Sequence, residues 1–330
     1  MNPKSIIIGS GIAGIAAAIR LAAKNHHVEV FETNDYPGGK LTQFTQGAFR
    51  FDAGPSLFTM PQYVDALFEH AGRNPRDYFN YKRKNESCRY FWNDGARLTA
   101  HADRNKFAEE VEKTLGVNAK TVLKKLNKSR QMYELAGRTF LEKPLNRLGT
   151  WLTRDVGRSM LRLHKLSLFS SDYRQEFRDI FKGVVPAADP TVYVNITSKD
   201  VPTDAPAGCE NWFVMVNVPQ HTGQNWEELT GKYRWVIISK LNPLLGVELS
   251  DLIENESTLT PKDIEVKTSS LGGSLYGTSS NNRYAAFLRH TNDSSRIKGL
   301  YFCGGSVHPG GGIPLCLLSA KIVSEICQKP

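Results

Sequence analysis

The sequence has few cysteines, and none of them are spaced as a framework. Its five cysteines (Cys88, Cys209, Cys303, Cys316, Cys327) include no CxxC pair. Neither a disulfide scaffold nor a zinc ribbon follows from them. They read as reduced, mostly buried thiols of a cytoplasmic protein. The eight histidines contain no HExxH motif and no Cys/His cluster, so no metal is expected. No uninterrupted apolar run approaches the ~18 residues of a membrane-spanning helix. Residues 5–23 are apolar, but Gly9, Gly11, Gly14 and Arg20 interrupt them and no charged region precedes a cleavage site. They do not read as a secretory signal. Internal repeats and low-complexity tracts are also missing.

What remains is a chain of 330 residues with 40% apolar content, enough to bury a core in one large or two ordinary domains. Net charge is +9, and residues 120–165 carry all of it: twelve Lys and Arg against Glu134, Glu142 and Asp155. Such a surface can face nucleic acid, anionic lipid or only water. No aromatic platform or recognition motif accompanies it, so nucleic acid is the poorest of the three.

Glycine is concentrated at both ends. The N-terminal run Ser5-Ile-Ile-Ile-Gly9-Ser-Gly11-Ile-Ala-Gly14 leads into an Ala-rich stretch. Residues 4–9 read as a buried strand and 12–24 as a small-residue helix. Val28-Glu-Val-Phe-Glu32 reads as a second strand, giving a βαβ start. In that setting Gly9 makes the tight turn, Gly11 admits a pyrophosphate and Gly14 lets the helix pack closely. Free N–H groups at the helix start then hold phosphate. Glu32 is placed to accept ribose hydroxyls and to repel the extra phosphate of NADP. These residues do not separate FAD from NAD.

Further turns follow. Asp35-Tyr-Pro-Gly38-Gly39-Lys40 exposes backbone N–H groups and sets Lys40 near phosphate or flavin oxygens. Phe51-Asp52-Ala-Gly54-Pro55-Ser56 forms another turn. At the far end, Leu300–Cys303 reads as a short buried strand leading to Gly304-Gly305-Ser306. Pro309-Gly310-Gly311-Gly312-Ile313 then opens a closing helix from about Pro314. A second helix N-terminus beside a second glycine cradle suits a flavin, whose pyrimidine end gains negative charge on reduction. His308 reads as a packing residue before a catalyst. Helices are also expected over Pro61–Ala71, most of 104–140, and Trp226–Leu241. Thr191–Asn195 and Trp212–Val218 read as strands.

Together these segments resemble the bacterial carotenoid desaturases, the phytoene-desaturase-type flavoproteins. The resemblance rests on Val-Glu-Val-Phe-Glu with Tyr-Pro-Gly-Gly-Lys, on Phe-Asp-Ala-Gly-Pro-Ser-Leu, and on Gly-Leu-Tyr-Phe-Cys-Gly-Gly-Ser-Val-His-Pro-Gly-Gly-Gly-Ile-Pro. Ala207–Val214, Gly273–Thr278 and Ala285–Arg289 look like further family blocks. The resemblance implies an α/β fold: a Rossmann-like FAD-binding domain from both termini (1–85 and 265–330). Residues 86–264 would be an α+β substrate domain with a helical, membrane-facing part. Val307 and Leu315 depart from the usual family block and resemble the branch that desaturates 1-hydroxycarotenoids at the 3,4 bond. Family members are longer, with additional residues between what here are about Ser171 and Asp172.

The resemblance also gives the basic segment a purpose. Arg147, Arg154, Arg158, Arg162 and Lys165 would form one stripe on a helix, interleaved with apolar side chains. Such a helix suits peripheral binding to an anionic membrane that holds the carotenoid substrate. Arg154, Asp155 and Arg158 resemble an Arg-Asp-x-x-Arg cluster, in which Asp155 would accept a proton and the arginines would hold it ionised. The flavin is the hydride acceptor that such a dehydrogenation needs. No second nicotinamide motif is present, so quinone or oxygen is the expected electron acceptor. Phytoene desaturation, carotenoid isomerisation, amine oxidation and a lipid-surface protein with a vestigial FAD fold remain alternatives.

Overall fold

The computed structural model describes residues 2–56, 58–92, 94–137, 141–144, 174–277 and 289–327. The chain divides into two compact units, Met1–Tyr63 with Ser167–Pro330, and Val64–Leu166. Both termini therefore lie in the first unit.

The first unit opens with β1 (Lys4–Ile8), α1 (Ile12–Ala22) and β2 (His27–Phe31). The two strands pair in parallel, Ser5 opposite Val28 and Ile7 opposite Val30. Their β-branched residues favour extended chain, and parallel pairing requires the crossover helix between them. Next come an antiparallel hairpin, β3 (Gln43–Gln46) with β4 (Phe49–Asp52), and α2 (Gln62–His70), which begins at the boundary between the units.

The second unit holds another hairpin, β5 (Glu86–Phe91) with β6 (Arg97–His101), followed by α3 (Arg104–Leu115) and α4 (Ala119–Met132). Helix was expected through most of 104–140. Gly116, at φ +67°, ends α3 in a left-handed cap, and Asn118 starts α4 by accepting from the Lys120 N–H. Asp103 caps α3 in the same way, and α3 packs on β6 and α4.

The chain returns to the first unit with α5 (Arg174–Lys182), β7 (Val192–Ile196) and β8 (Trp212–Val216), the two strands antiparallel. It continues through α6 (Trp226–Leu245) and α7 (Pro261–Thr268) and ends with α8 (Ile313–Ile326). A capping box between Thr260 and Asp263 starts α7.

The core of this unit is the packing of α1 on α8. Ala13, Ala16 and Ala17 on α1 meet a helix that buries Leu317, Leu318, Ala320, Ile322 and Val323. Small residues on one helix let large ones on the other fill the interface. Among the described residues, nothing packs over the opposite face of the β1–β2 sheet. Ile8 is 90% exposed, and Ile6 and Phe31 are more than half exposed. Parallel sheets are ordinarily covered on both faces.

The expected strand at Leu300–Cys303 does not form a ladder. Tyr301 makes an isolated bridge to Asp293, and the Phe302 N–H donates to the Asn292 carbonyl at 2.8 Å. Among the described residues β1 pairs only with β2, so this segment takes its backbone partners from residues 292–294 instead. Among the described residues no helix is long and apolar enough to cross a membrane.

Candidate functional site

The N-terminal turn has little room. The Gly9 N–H donates to the Phe31 carbonyl at 2.7 Å, fixing the end of β1 to the end of β2. A Cβ on Gly14 would stand 2.1 Å from the Gly9 oxygen and 3.4 Å from Ile7 Cγ2. Only glycine lets α1 begin so close to the strand. In front of the turn the situation is reversed: a Cβ on Gly9 or Gly11 would meet no atom within 4 Å. Gly11 is the N-cap of α1, with no side-chain cap and no acid in the first turn. The first-turn N–H groups and the positive end of the helix dipole therefore face open space, as anion binding requires.

Glu32 braces this turn. Its Oε2 accepts from the Ser10 N–H at 2.6 Å and from Ser10 Oγ at 2.8 Å. Its Oε1 accepts from the Thr33 N–H, the Asn34 N–H and Asn34 Nδ2 at 2.9–3.2 Å. The backbone bond from Asn34, followed by those from Ser10, holds the carboxyl at about 2. The sequence reading gave Glu32 to the ribose. The bracing role, and that of Ser10, was missed, although a hydroxyl between two turn glycines was a usable clue.

The second glycine turn lies against the first. The Gly38 N–H donates to the Ser10 carbonyl at 2.8 Å, Gly11 and Gly38 form a bridge, and a Cβ on Gly39 would stand 3.3 Å from Gly11 Cα. Gly54 lies closer still against Lys40, because its Cβ would stand 2.2 Å from the Lys40 oxygen. Lys40 Nζ donates to the carbonyls of Ser274 (2.7 Å) and Leu275 (3.3 Å), and burial lowers its pKa. It thus ties the N-terminal turns to residues 274–275. Pro55 and Ser56 continue the irregular segment after Gly54.

The C-terminal cradle stands beside α1. A Cβ on Gly304 would come within 4.0 Å of Ala13 Cβ, in the first turn of α1. Gly305 packs against Gly311 Cα, and a Cβ on Gly311 would clash with Tyr276 at 2.5 Å. Gly312 is the N-cap of α8, also without a side-chain cap and open in front, with Ile313 and Pro314 beginning the helix. Arg289 Nη1 donates to the carbonyls of Tyr276 and Gly305 at 3.2 and 3.3 Å. His308 is buried, and its N–H donates to the His290 carbonyl at 2.9 Å.

Cys303 and Cys316, on either side of this cradle, are pushed up to about 11 by burial. All five thiols are free and part-buried. Among the described residues no three His, Cys, Asp or Glu side chains gather as metal ligands. Arg154, Asp155 and Arg158 lie outside the described residues, as does the basic stripe of 147–165.

Two uncapped helix N-termini and four glycine turns thus adjoin in one unit. Their open fronts and close backs fit a dinucleotide whose pyrophosphate meets backbone N–H groups.

Residues 7–71 match the NAD(P)-binding Rossmann-like domain family. The whole chain is similar to a 1-hydroxycarotenoid 3,4-desaturase of Flavobacterium sp., at 34% identity over 98% of each chain. It is similar at 22% to a 4,4'-diapophytoene desaturase of Staphylococcus haemolyticus, over 97% of each chain. A carotenoid 3,4-desaturase of Haloarcula japonica aligns at 21%, again over 97% of each chain. The first of these alignments runs to 481 positions against a chain of 330, so well over a hundred positions have no counterpart here. By this similarity over nearly its whole length, the chain belongs to the phytoene-desaturase-type carotenoid desaturase family.

Proposed function

We propose that this protein is an FAD-dependent desaturase of an acyclic or monocyclic 1-hydroxycarotenoid, acting at the 3,4 bond. One observation carries the cofactor reading: Gly304 of the C-terminal cradle lies against Ala13 in the first turn of α1. Sequence segments from opposite ends are thereby neighbours, as a cofactor with a phosphate end and a ring end needs. The relatives named for carotenoid 3,4-desaturation support the substrate.

In this reading Gly9, Gly11, Gly14, Gly38 and Gly39 hold the pyrophosphate, and Glu32 with Ser10 fixes their turn. Lys40, Gly54, Pro55, Ser56, Gly304, Gly305, Gly311, Gly312 and Ile313 shape the ring end. FAD supplies the hydride-accepting ring. Asp155 takes the proton from the substrate carbon, and Arg154 and Arg158 keep its carboxylate ionised. Residues 1–85 and 265–330 form the FAD-binding domain, and 86–264 serve the substrate and the membrane. The basic stripe of 147–165 rests on anionic lipid, from which the carotenoid enters. Quinone or oxygen takes the electrons.

The test uses the purified full chain with FAD and anionic liposomes that hold phytoene, lycopene or a 1-hydroxycarotenoid. Desaturation removes two hydrogens from the 1-hydroxycarotenoid and red-shifts its absorption. An unchanged mass with altered geometry would instead mean isomerisation. Failure to take up FAD, or turnover of amines but of no polyene, would overturn the reading.

A further inference from the structure

We infer that Asn292 is the positioning residue of the C-terminal cradle. The inference deepens the FAD reading, on which its functional meaning rests. Asn292 is 1% exposed and lies on the segment 290–293, between two others. On one side Asp293 bridges Tyr301, and on the other His290 bridges Val307. Its Nδ2 donates to the Phe302 carbonyl at 3.1 Å and the His308 carbonyl at 2.8 Å, and it also lies 3.0 Å from Ser319 Oγ. Ser319, on α8 and fully buried, accepts from the Gly304 N–H at 3.2 Å. One amide group therefore joins the start of the Gly304-Gly305 turn, the His308–Pro309 bend and the body of α8. Those are the three pieces whose separation sets where the N-terminus of α8 points.

The chemistry needs a primary amide. Both main-chain acceptors require a donor, and an NH2 group has two hydrogens to offer. Aspartate as a carboxylate offers none, and leucine offers none. Among the described residues Asn292 Oδ1 has no partner although it is buried. The fold tolerates an unpaired acceptor here, which costs about 1–3 kcal/mol. The amide is therefore held for its donors and not for its oxygen.

Asn292→Asp converts this into a pH switch. At low pH the protonated carboxyl donates one O–H. As pH rises the buried carboxylate faces carbonyl oxygens and cannot donate. His290, Asp293 and His308 lie on the neighbouring segments, so the variant is compared with wild type at each pH. Two measurements are made on the full chain. Without FAD, amide hydrogen exchange at Gly304 and at 308–312 should match wild type within about tenfold at pH 5. At pH 8 it should be on the order of a hundredfold faster than wild type at the same pH, with α3 and α4 matching wild type. With FAD, the dissociation constant should rise over the same pH range, with a shifted flavin absorption band. Asn292→Leu should show the fast exchange at every pH. PH-independent protection in the Asp variant would overturn the inference, and so would loss of protection across the whole chain. Should the wild type refuse FAD, the cofactor reading fails, while the exchange result still decides the role of Asn292.

Discussion

Gly11→Ala and Gly14→Ala differ by one turn of the same loop and should separate function from fold. At Gly14 the new Cβ would sit 2.1 Å from the Gly9 oxygen and 3.2 Å from its carbon. The first distance is more than an ångström inside van der Waals contact, and both atoms are backbone, so α1 must move off β1. Overpacking of this kind costs about 1–3 kcal/mol or more. Helix propensity favours alanine by at most ~1 kcal/mol and less in a first turn, so the steric effect wins. At Gly11 the backbone is ordinary (φ −62°, ψ 167°) and the Cβ would enter open space. Stability should hold or rise by up to ~1 kcal/mol, because alanine restricts the unfolded chain. The methyl would, however, occupy the ground proposed for the pyrophosphate. A crowding cost of about 1–3 kcal/mol there lowers FAD affinity roughly 5- to 150-fold. Urea unfolding of the FAD-free chain and fluorescence titration with FAD give both quantities. Gly231→Ala, on the exposed side of α6 with nothing within 4 Å, is the control and should stabilise by up to ~1 kcal/mol. A Gly14→Ala chain as stable as wild type would refute the packing, and a Gly11→Ala chain with undiminished FAD affinity would refute the cradle.

Glu32 is held at about 2, below the ordinary 4.5, so its bonds stabilise the fold above pH ~4.5 and are lost as pH falls toward 2. The urea midpoint should decline through that window, and Glu32→Gln should flatten this part of the decline. Cys303 and Cys316, at about 11, are thiolate to roughly one part in a thousand at pH 8. Both should resist a disulfide reagent in the native chain and react once urea unfolds it; prompt native labelling would contradict their burial. Ile8→Thr should leave stability within about 0.5 kcal/mol while reducing dye binding to apolar surface and slowing aggregation. A loss above about 2 kcal/mol would mean that Ile8 is packed.

The elements legible in the sequence were those with strong local patterns. The Ile run, the Ala-rich helix and the closing apolar helix announce β1, α1 and α8, and each lies within about two residues of its expected bounds. Three features were not legible. The β5–β6 hairpin carries mixed polar and aromatic residues without clean alternation. The break at Gly116 was hidden inside a helical composition. Leu300–Cys303 has the composition of a buried strand, but strand formation depends on a neighbour to pair with, which no local pattern reveals. The site shows the same division. Its glycines stood out because close approach and positive φ demand that residue type. Ser10, Asn292 and Ser319 did not, because a buried hydrogen-bonding role is fixed by neighbours far away in sequence.

The exposed face of the β1–β2 sheet and the length of the family alignment bear on one another. A parallel pair is stable when both of its faces are covered and its edges are paired, and among the described residues α1, itself backed by α8, covers one face. The family relatives carry well over a hundred positions that this chain does not. Yet the cradle is made wholly of residues from the two ends: Gly9–Gly14 and Gly38–Gly54 from one, Gly304–Ile313 from the other. What joins them is α1 against α8, and that helix pair is also the best-buried part of the unit. In the proposed reading the phosphate grip depends on backbone N–H groups at the start of α1 and the ring end on the start of α8, not on the width of the sheet behind them. The dinucleotide cradle therefore keeps its geometry although Ile6, Ile8 and Phe31 are exposed. The cost falls on solubility and on the stability of the strands, and the cradle remains in the part of the molecule that packs best.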